Sequence, residues 1–354
     1  MLASKDMTPV LDRIQQEKVI GRRPLFILGS GISSEVVPFL WEFVAWLRDE
    51  LPESSEQWIG EHADALCSKT RATRRVAAEF FSALQESDEL RNLWSRFSQG
   101  VLIKGLEFKS RKPFPGLSSV RPTSAHEKLA SLLHASEAYV ISLNFDGLTH
   151  KASMLPAVGS DKPRTAVAIH TPEEIDGYFT AATKEYFPAV IKIRGDVFYA
   201  RCSNVACYLY RHPYPIDRLH SSSALSPDTL ACPNCNHPEL LLQFQFPGYR
   251  EKEETADPML KACRRYLASR LSVIAIVGLS GRWDRYMLKF LFDLAKEHDL
   301  MVADIKPPDS ENLIADFREQ YYPSIPALDG TQDVHGACFA RVRLKASDFF
   351  EAYK

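Results

Sequence analysis

A chain of 354 residues with 45% hydrophobic and 25% charged side chains has ordinary globular composition, which excludes a disordered or fibrous protein. Forty-three basic residues against 45 acidic ones leave a formal net charge of −2, so no global charge points to nucleic acid or an anionic membrane. The length suits two domains, or one large α/β core carrying inserts.

The first eighteen residues lack the continuous apolar core of a secretory signal, and charges interrupt every apolar run well short of a membrane span. Seven cysteines, an odd number, do not form a disulfide framework in a chain of this length. A cytoplasmic, non-membrane protein is the expectation. The basic run from Lys104 to Lys112 is broken by Glu107 and reads as a solvated face, not a nucleic-acid surface.

In chain order, Pro24–Leu28, Tyr139–Leu143, Ala166–His170, Ala189–Ile193, Val273–Val277 and Leu300–Ile305 are short apolar runs of the buried-strand type. Helical segments alternate with them. Cys338–Leu344 alternates apolar and polar residues and suits a strand near a sheet edge. Together they predict an α/β fold, a doubly wound, mostly parallel Rossmann-like sheet with helices on both faces. Between the first two runs Val76, Phe80, Phe81, Leu84 and Trp94 recur near helical spacing, so residues 58–97 read as a helical insert. Residues 199–240, with four of the seven cysteines, read as a second, small insert. The sheet domain is then assigned 1–57, 98–198 and 241–354.

The first run leads into a glycine turn and a helix. Gly29 and Gly31 permit a tight turn and close approach of a ligand, while Ser33 and Ser34 can cap the helix or donate to a phosphate. Leu40, Val44, Leu47 and Leu51 then hold helical spacing. Two glycines without a third are not a full dinucleotide fingerprint, so phosphate binding and a purely structural bend both fit this turn.

Cys202 and Cys207 are separated by four residues, Cys232 and Cys235 by two, with 24 residues between the pairs. Four thiolates in two knuckles suit a closed, structural zinc (Zn2+) site. His212, His220 and His237 are nearby but unnecessary to it. Cys67, Cys263 and Cys338 lack such spacing and read as core residues.

Asn144 and Asp146 follow an apolar run directly, where strand ends face a ligand crevice. On extended backbone the pair points to one side and offers a donor and an acceptor to a carboxamide and a ribose hydroxyl. An Asx turn at Asp146–Gly147 capping the next helix explains the aspartate equally well. His126, His150 and His170 read as satisfied structural histidines, His126 packing or capping within its own helix.

The order GSGIS (29–33), PTSAHEKLASL (122–132), LNFDGLTHKAS (143–153), IKIRGD (191–196), the cysteine quartet and VGLSGRWD (277–284) resembles the sirtuin family throughout. That family's pattern is a GAGIS turn, an AH-x-x-LA-x-L helix, a QNIDGL segment, an HG turn, a zinc ribbon and a GTS turn. Pro38 and Trp41 after the first turn, and the GD of RGD, look closer to the branch found in bacterial phage-defence NAD-consuming proteins. The resemblance implies that NAD+ binds between the sheet domain and the zinc module. Gly29, Ser30, Gly31 and Ser33 would line its pyrophosphate, and Gly278 and Ser280 would lie near phosphate and adenosine ribose. Asp304 would accept a ribose hydroxyl. Asn144 would hold the nicotinamide-side ribose and its attacking water, and Asp146 the carboxamide.

Three positions depart from that pattern: Leu143 stands for glutamine, Leu279 for threonine and Arg194 for the histidine of the HG turn. Arginine stays protonated and cannot serve as the base that deacylases use, although it can clamp a phosphate or carboxylate. Three functions therefore remain open. One is an NAD+ glycohydrolase of the antiphage-defence kind, favoured by the sequence. The others are an NAD+ or ADP-ribose sensor without chemistry and an NAD+-dependent lysine deacylase. A hydrolase without a sensing domain of its own implies a regulatory protein partner or a homo-oligomer.

Overall fold

The computed structural model describes residues 7–49, 57–70, 80, 83–84, 87–105, 107, 113–135, 137–154, 166–181, 188–202, 204–215, 232–237, 240–244, 258–279, 285–328 and 336–353. Its centre is a sheet of seven parallel strands. These are β1 (Arg23–Leu28), β2 (Tyr139–Ser142), β3 (Val167–Ile169), β4 (Ala189–Lys192), β8 (Leu271–Val277), β9 (Met301–Lys306) and β10 (Cys338–Arg343). A smaller antiparallel sheet joins β5 (Gly195–Cys202), β6 (Tyr214–Pro215) and β7 (Leu240–Phe244), so it runs from Gly195 to Phe244.

The strands are apolar on both faces because both faces are covered. Alternate residues of β1 serve different cores: Leu25 and Ile27 pack on one side of the sheet, Phe26 and Leu28 on the other. In β8 all seven residues are buried, with Ile274 and Ile276 in the first core and Val273, Ala275 and Val277 in the second. Helices Pro258–Leu267, Arg285–His298 and Leu313–Tyr321 cover the first face. Helices Thr8–Lys18, Ser124–His134 and Ala346–Tyr353 cover the second, where Phe26 meets Phe349, Phe350 and Tyr353 edge-on. Each large apolar side chain so buried contributes roughly 1.5–3 kcal/mol. Cys263 and Cys338 are buried in these cores, whereas Cys67 is only half-buried.

A third core belongs to a helical layer. Helices Leu40–Asp49, Gln57–Thr70 and Asp88–Lys104 pack Val44, Leu47, Leu66 and Trp94 against Phe80 and Leu84, which lie between the last two helices, and against Leu148 and Val197. Helical spacing in this region therefore does mark a packed face. Leu51, Val76 and Phe81 lie outside the described residues, as do the side chains of Leu40 and Trp41.

The strand order, β10-β9-β8-β1-β2-β4-β3, fixes where a ligand fits. From β1 the chain passes to β2, on to β3 at the edge and back to β4 between them, and then builds outward on the other side through β8, β9 and β10. The connections after β1 and β8 diverge, and a crevice opens at their carboxyl ends.

Candidate functional site

The turns after β1 and β8 interlock, and this explains the glycines. A Cβ on Gly29 would stand 2.5 Å from Leu279 Cα, and one on Gly31 would stand 2.7 Å from Gly278 Cα. Gly278 has φ +67, and its own Cβ would meet Ile32 N at 2.7 Å. The N–H of Gly31 donates to Gly278 O (2.9 Å) and that of Gly29 to Val277 O (2.9 Å). The glycines thus serve a backbone-to-backbone contact that no side chain survives. Neither of those two N–H groups faces a ligand.

Against these turns lies a cleft of about 890 Å³, near the upper end of the roughly 300–1,000 Å³ usual for small-molecule sites. Ser30, Gly31 and Ser34 line it from the first turn, Gly278 and Leu279 from the second, and Lys306 from the end of β9. Two helices present their first turns to it: Ser124 and Ala125 of Ser124–His134, and Ala346 and Ser347 of Ala346–Tyr353. Helix N-termini carry unpaired N–H groups and partial positive charge, and the wall also holds Lys128, Lys306 and Lys345 together with Glu35, Asp309, Glu311 and Asp348. The charge of the cleft wall is therefore mixed, and its two helix N-termini are the part that favours an anion.

Ser33 is not part of this lining. It turns inward, 1% exposed, and its hydroxyl donates to Asp146 Oδ2 at 2.5 Å. The serine oxygen itself lies 3.3 Å from Asn144 Nδ2 and 3.2 Å from His126 Nε2. Asn144 also donates to Gly29 O at 3.0 Å, tying the strand-end asparagine to the glycine turn. Asp146 accepts from Leu148 N (3.0 Å) through its other oxygen, so the Asx turn and the inward-facing carboxylate are both present. Asn144 and Asp146 are buried.

Proton bookkeeping fixes the direction of this network. The Ser33 proton goes to Asp146, so Ser33 must accept from His126, which places the histidine proton on Nε2. Nδ1 of His126 then accepts from Thr123 N at 3.2 Å, with Thr123 Oγ1 at 2.7 Å. Burial lowers the His126 pKa against the opposing pull of Asp146, with Lys192 lowering it further, in keeping with a neutral ring. His126 caps its helix as its sequence position implies. Its contact with Ser33, 93 positions away, was not legible there.

Lys192 was also unforeseen. It ends β4 with 1% exposure, pairs with Asp196 Oδ2 at 3.3 Å and donates to the backbone carbonyl of Asn144. Asp196 is itself 1% exposed and accepts from Phe198 N. A lysine inside an apolar run was the available signal, because a buried ammonium requires a partner. Arg194, one turn on, is half-buried between these groups in sequence, and Gly195 beside it has φ +77.

The remaining expected site residues fall differently. Gly29 is buried and meets the inner network through its carbonyl. Ser280 lies outside the described residues. Asp304 does not line the cleft: it is 4% exposed and stands behind Lys306, with 3.6 Å between carboxylate and ammonium. Burial raises its pKa to about 6, against Lys306 and Arg343. His170 follows β3, lies tilted against Tyr199 with ring centroids 4.2 Å apart, and has neither ring nitrogen hydrogen-bonded among the described residues. Burial, then Lys192 and His150, lowers its pKa to about 3.

The four cysteines of the two knuckles converge at one end of the small sheet. Their sulfurs all lie within 4.8 Å of one another, with Cys202–Cys235 at 3.6 Å and Cys207–Cys232 at 3.7 Å. Tetrahedral zinc with Zn–S bonds of about 2.3 Å places sulfurs about 3.8 Å apart, so the donor set fits the ion. Asn204 N and Asn234 Nδ2 donate to Cys202 and Cys207, the outer bonds that steady thiolate ligands. Among the described residues no helix is long and apolar enough to cross a membrane.

No protein-family model matches the chain, and no curated protein matches it. Among solved structures, a Sir2 bound to acetylated peptide superposes with a TM-score of 0.44 at 16% identity, covering 98% of this chain and 96% of that one. A Sir2–p53 peptide–NAD+ complex superposes over the same shares with a TM-score of 0.42 at 17% identity. Superpositions this loose carry no argument, and what defines this chain is its own doubly wound parallel sheet, with a cleft of mixed charge beside a buried Asn144–Ser33–Asp146–His126 network.

Proposed function

We propose that the chain binds a nicotinamide dinucleotide, NAD+, and hydrolyses its nicotinamide–ribose bond, as a glycohydrolase of the kind used in antiphage defence. One observation carries the reading. The glycine turn that borders the cleft is tied through Gly29 O and Ser33 to a buried Asn144/Asp146 pair at the adjacent strand end. The cleft supplies the anion half of such a site. The buried pair supplies a polar, largely dry half, where fixed dipoles act most strongly on developing charge.

In this proposal nicotinamide leaves C1′ with the bonding electrons, and water adds to that carbon and loses a proton. The departing ring is already cationic in the substrate, so no acid is required. Asp146, which accepts from the Ser33 hydroxyl and Leu148 N, would stabilise positive charge developing on the sugar and accept from the carboxamide. Asn144 would orient the ribose and the water. Arg194 cannot replace a histidine base, and this weighs against deacylation. Zinc at the cysteine cluster would be structural, since four thiolates leave it no open position.

A sensor that binds the dinucleotide without cleaving it is the second reading. It is favoured by the Asn144 amide, whose donors already serve Gly29 O and Ser33.

Nicotinamide release from NAD+ by the purified chain, with and without an acetyl-lysine peptide and with Asn144→Ala as blank, tests the proposal. Release without peptide that is abolished in the variant is the expected result. Release only with peptide would restore the deacylase, and binding without release would leave the sensor.

A further inference from the structure

The ends of β9 and β10 carry charge in a pattern the dinucleotide reading leaves unused. Asp304 and Lys306, two residues apart on β9, share a face, and in the parallel register they lie beside Arg341 and Arg343 of β10. Lys345 follows immediately and lines the cleft. Three cations, Lys306, Arg341 and Arg343, thus act on a single strand carboxylate.

Acids lie among them: Glu35, Asp309, Glu311 and Asp348 also line the cleft, and Glu311 acts on Lys306. Asp309 and Glu311 are exposed on the loop after β9, where water and salt screen them. Asp348, half-buried, lies in the first turn of the last helix. Lys306 by contrast is 5% exposed, and Asp304 at 3.6 Å is its closest ion partner. Asp304 itself keeps one oxygen, Oδ1, without a hydrogen bond among the described residues. The carboxylate that would greet an unmodified ribose is set back, and an ammonium occupies the cleft wall in its place.

In nucleotide-binding α/β sheets an acid at such a strand end accepts the hydroxyls of the adenosine ribose, whereas a cation there accommodates a 2′-phosphate. We infer that Lys306, with Arg343 and Lys345 around it, reads a phosphomonoester on the adenosine ribose, so that the preferred dinucleotide of this cleft is NADP+ over NAD+. The inference rests on the dinucleotide reading of the cleft but not on any cleavage of the ligand.

The test is therefore a binding measurement. Titration calorimetry of the full chain with NADP+, NAD+, 2′-phospho-ADP-ribose and ADP-ribose reads the contribution of the 2′-phosphate in two matched pairs. The expected result is about tenfold tighter binding of the phosphorylated member of each pair, with an advantage that shrinks as salt is raised. In Lys306→Met the ratio should fall toward one. Because that variant leaves Asp304 without its closest cation, Lys306→Arg, which keeps the charge, should fold and retain the preference. Equal or weaker binding of the phosphorylated ligands to the wild-type chain would overturn the inference while leaving the dinucleotide reading in place. Failure of all four ligands to bind would remove both.

Discussion

The hydroxyl of Ser33 lies 2.5 Å from Oδ2 of Asp146, a residue 113 positions further along the chain. That bond joins the turn after β1 to the loop after β2, and Asn144 and His126 converge on the same oxygen. A serine in the glycine turn that looks like a phosphate ligand is thus the hub of an interior network.

Ser33→Ala removes the hub and leaves Asp146 Oδ2, Asn144 and His126 partly unsatisfied in a buried setting. A cost of about 1–3 kcal/mol is expected in urea unfolding, together with loss of nicotinamide release. Unchanged stability and unchanged release would show that the network neither holds the fold nor serves the chemistry.

His170 makes stability depend on pH. A buried ring with a folded pKa of about 3, against 6.5 as the ordinary value, binds fewer protons folded than unfolded between those limits. Its contribution is complete above pH 6.5 and is lost as pH falls toward 3, at about 1.4 kcal/mol per unit. From pH 6.5 to 4.5 the wild type should lose about 2–3 kcal/mol more than His170→Phe, read from urea unfolding at the two pH values. Parallel losses would contradict the assignment.

Much of the architecture is legible because apolar runs announce buried parallel strands directly. All seven residues of β8 are buried, and the alternating run at Cys338–Leu344 does become the edge strand β10. The cysteine spacing likewise predicts a cluster that the chain forms. Long-range side-chain partners are another matter. Nothing local to His126 or Lys192 announces Ser33, or the carbonyl of Asn144. Asp304 and Lys306 illustrate the same limit: two charges two residues apart must share a face, but spacing cannot tell which of them reaches the cleft.

The cysteine cluster should hold one zinc per chain by elemental analysis. Cys232→Ser should lower that content and open the small sheet to proteolysis, because a zinc site of this type stabilises its fold outright. Full-length chain purified without metal, yet equally resistant to protease, would show that the four thiols need no ion.

The strand β5 gives that cluster a longer reach. It begins at Gly195 beside Asp196, which pairs with Lys192, and ends at Cys202, a member of the quartet. At about 3.3 Å per residue, roughly 20 Å of extended chain connect the aspartate to the thiol. Through Lys192 that aspartate is one step from the carbonyl of Asn144. One strand thus runs from the cysteine cluster to the buried ion pair that holds the Asn144 carbonyl.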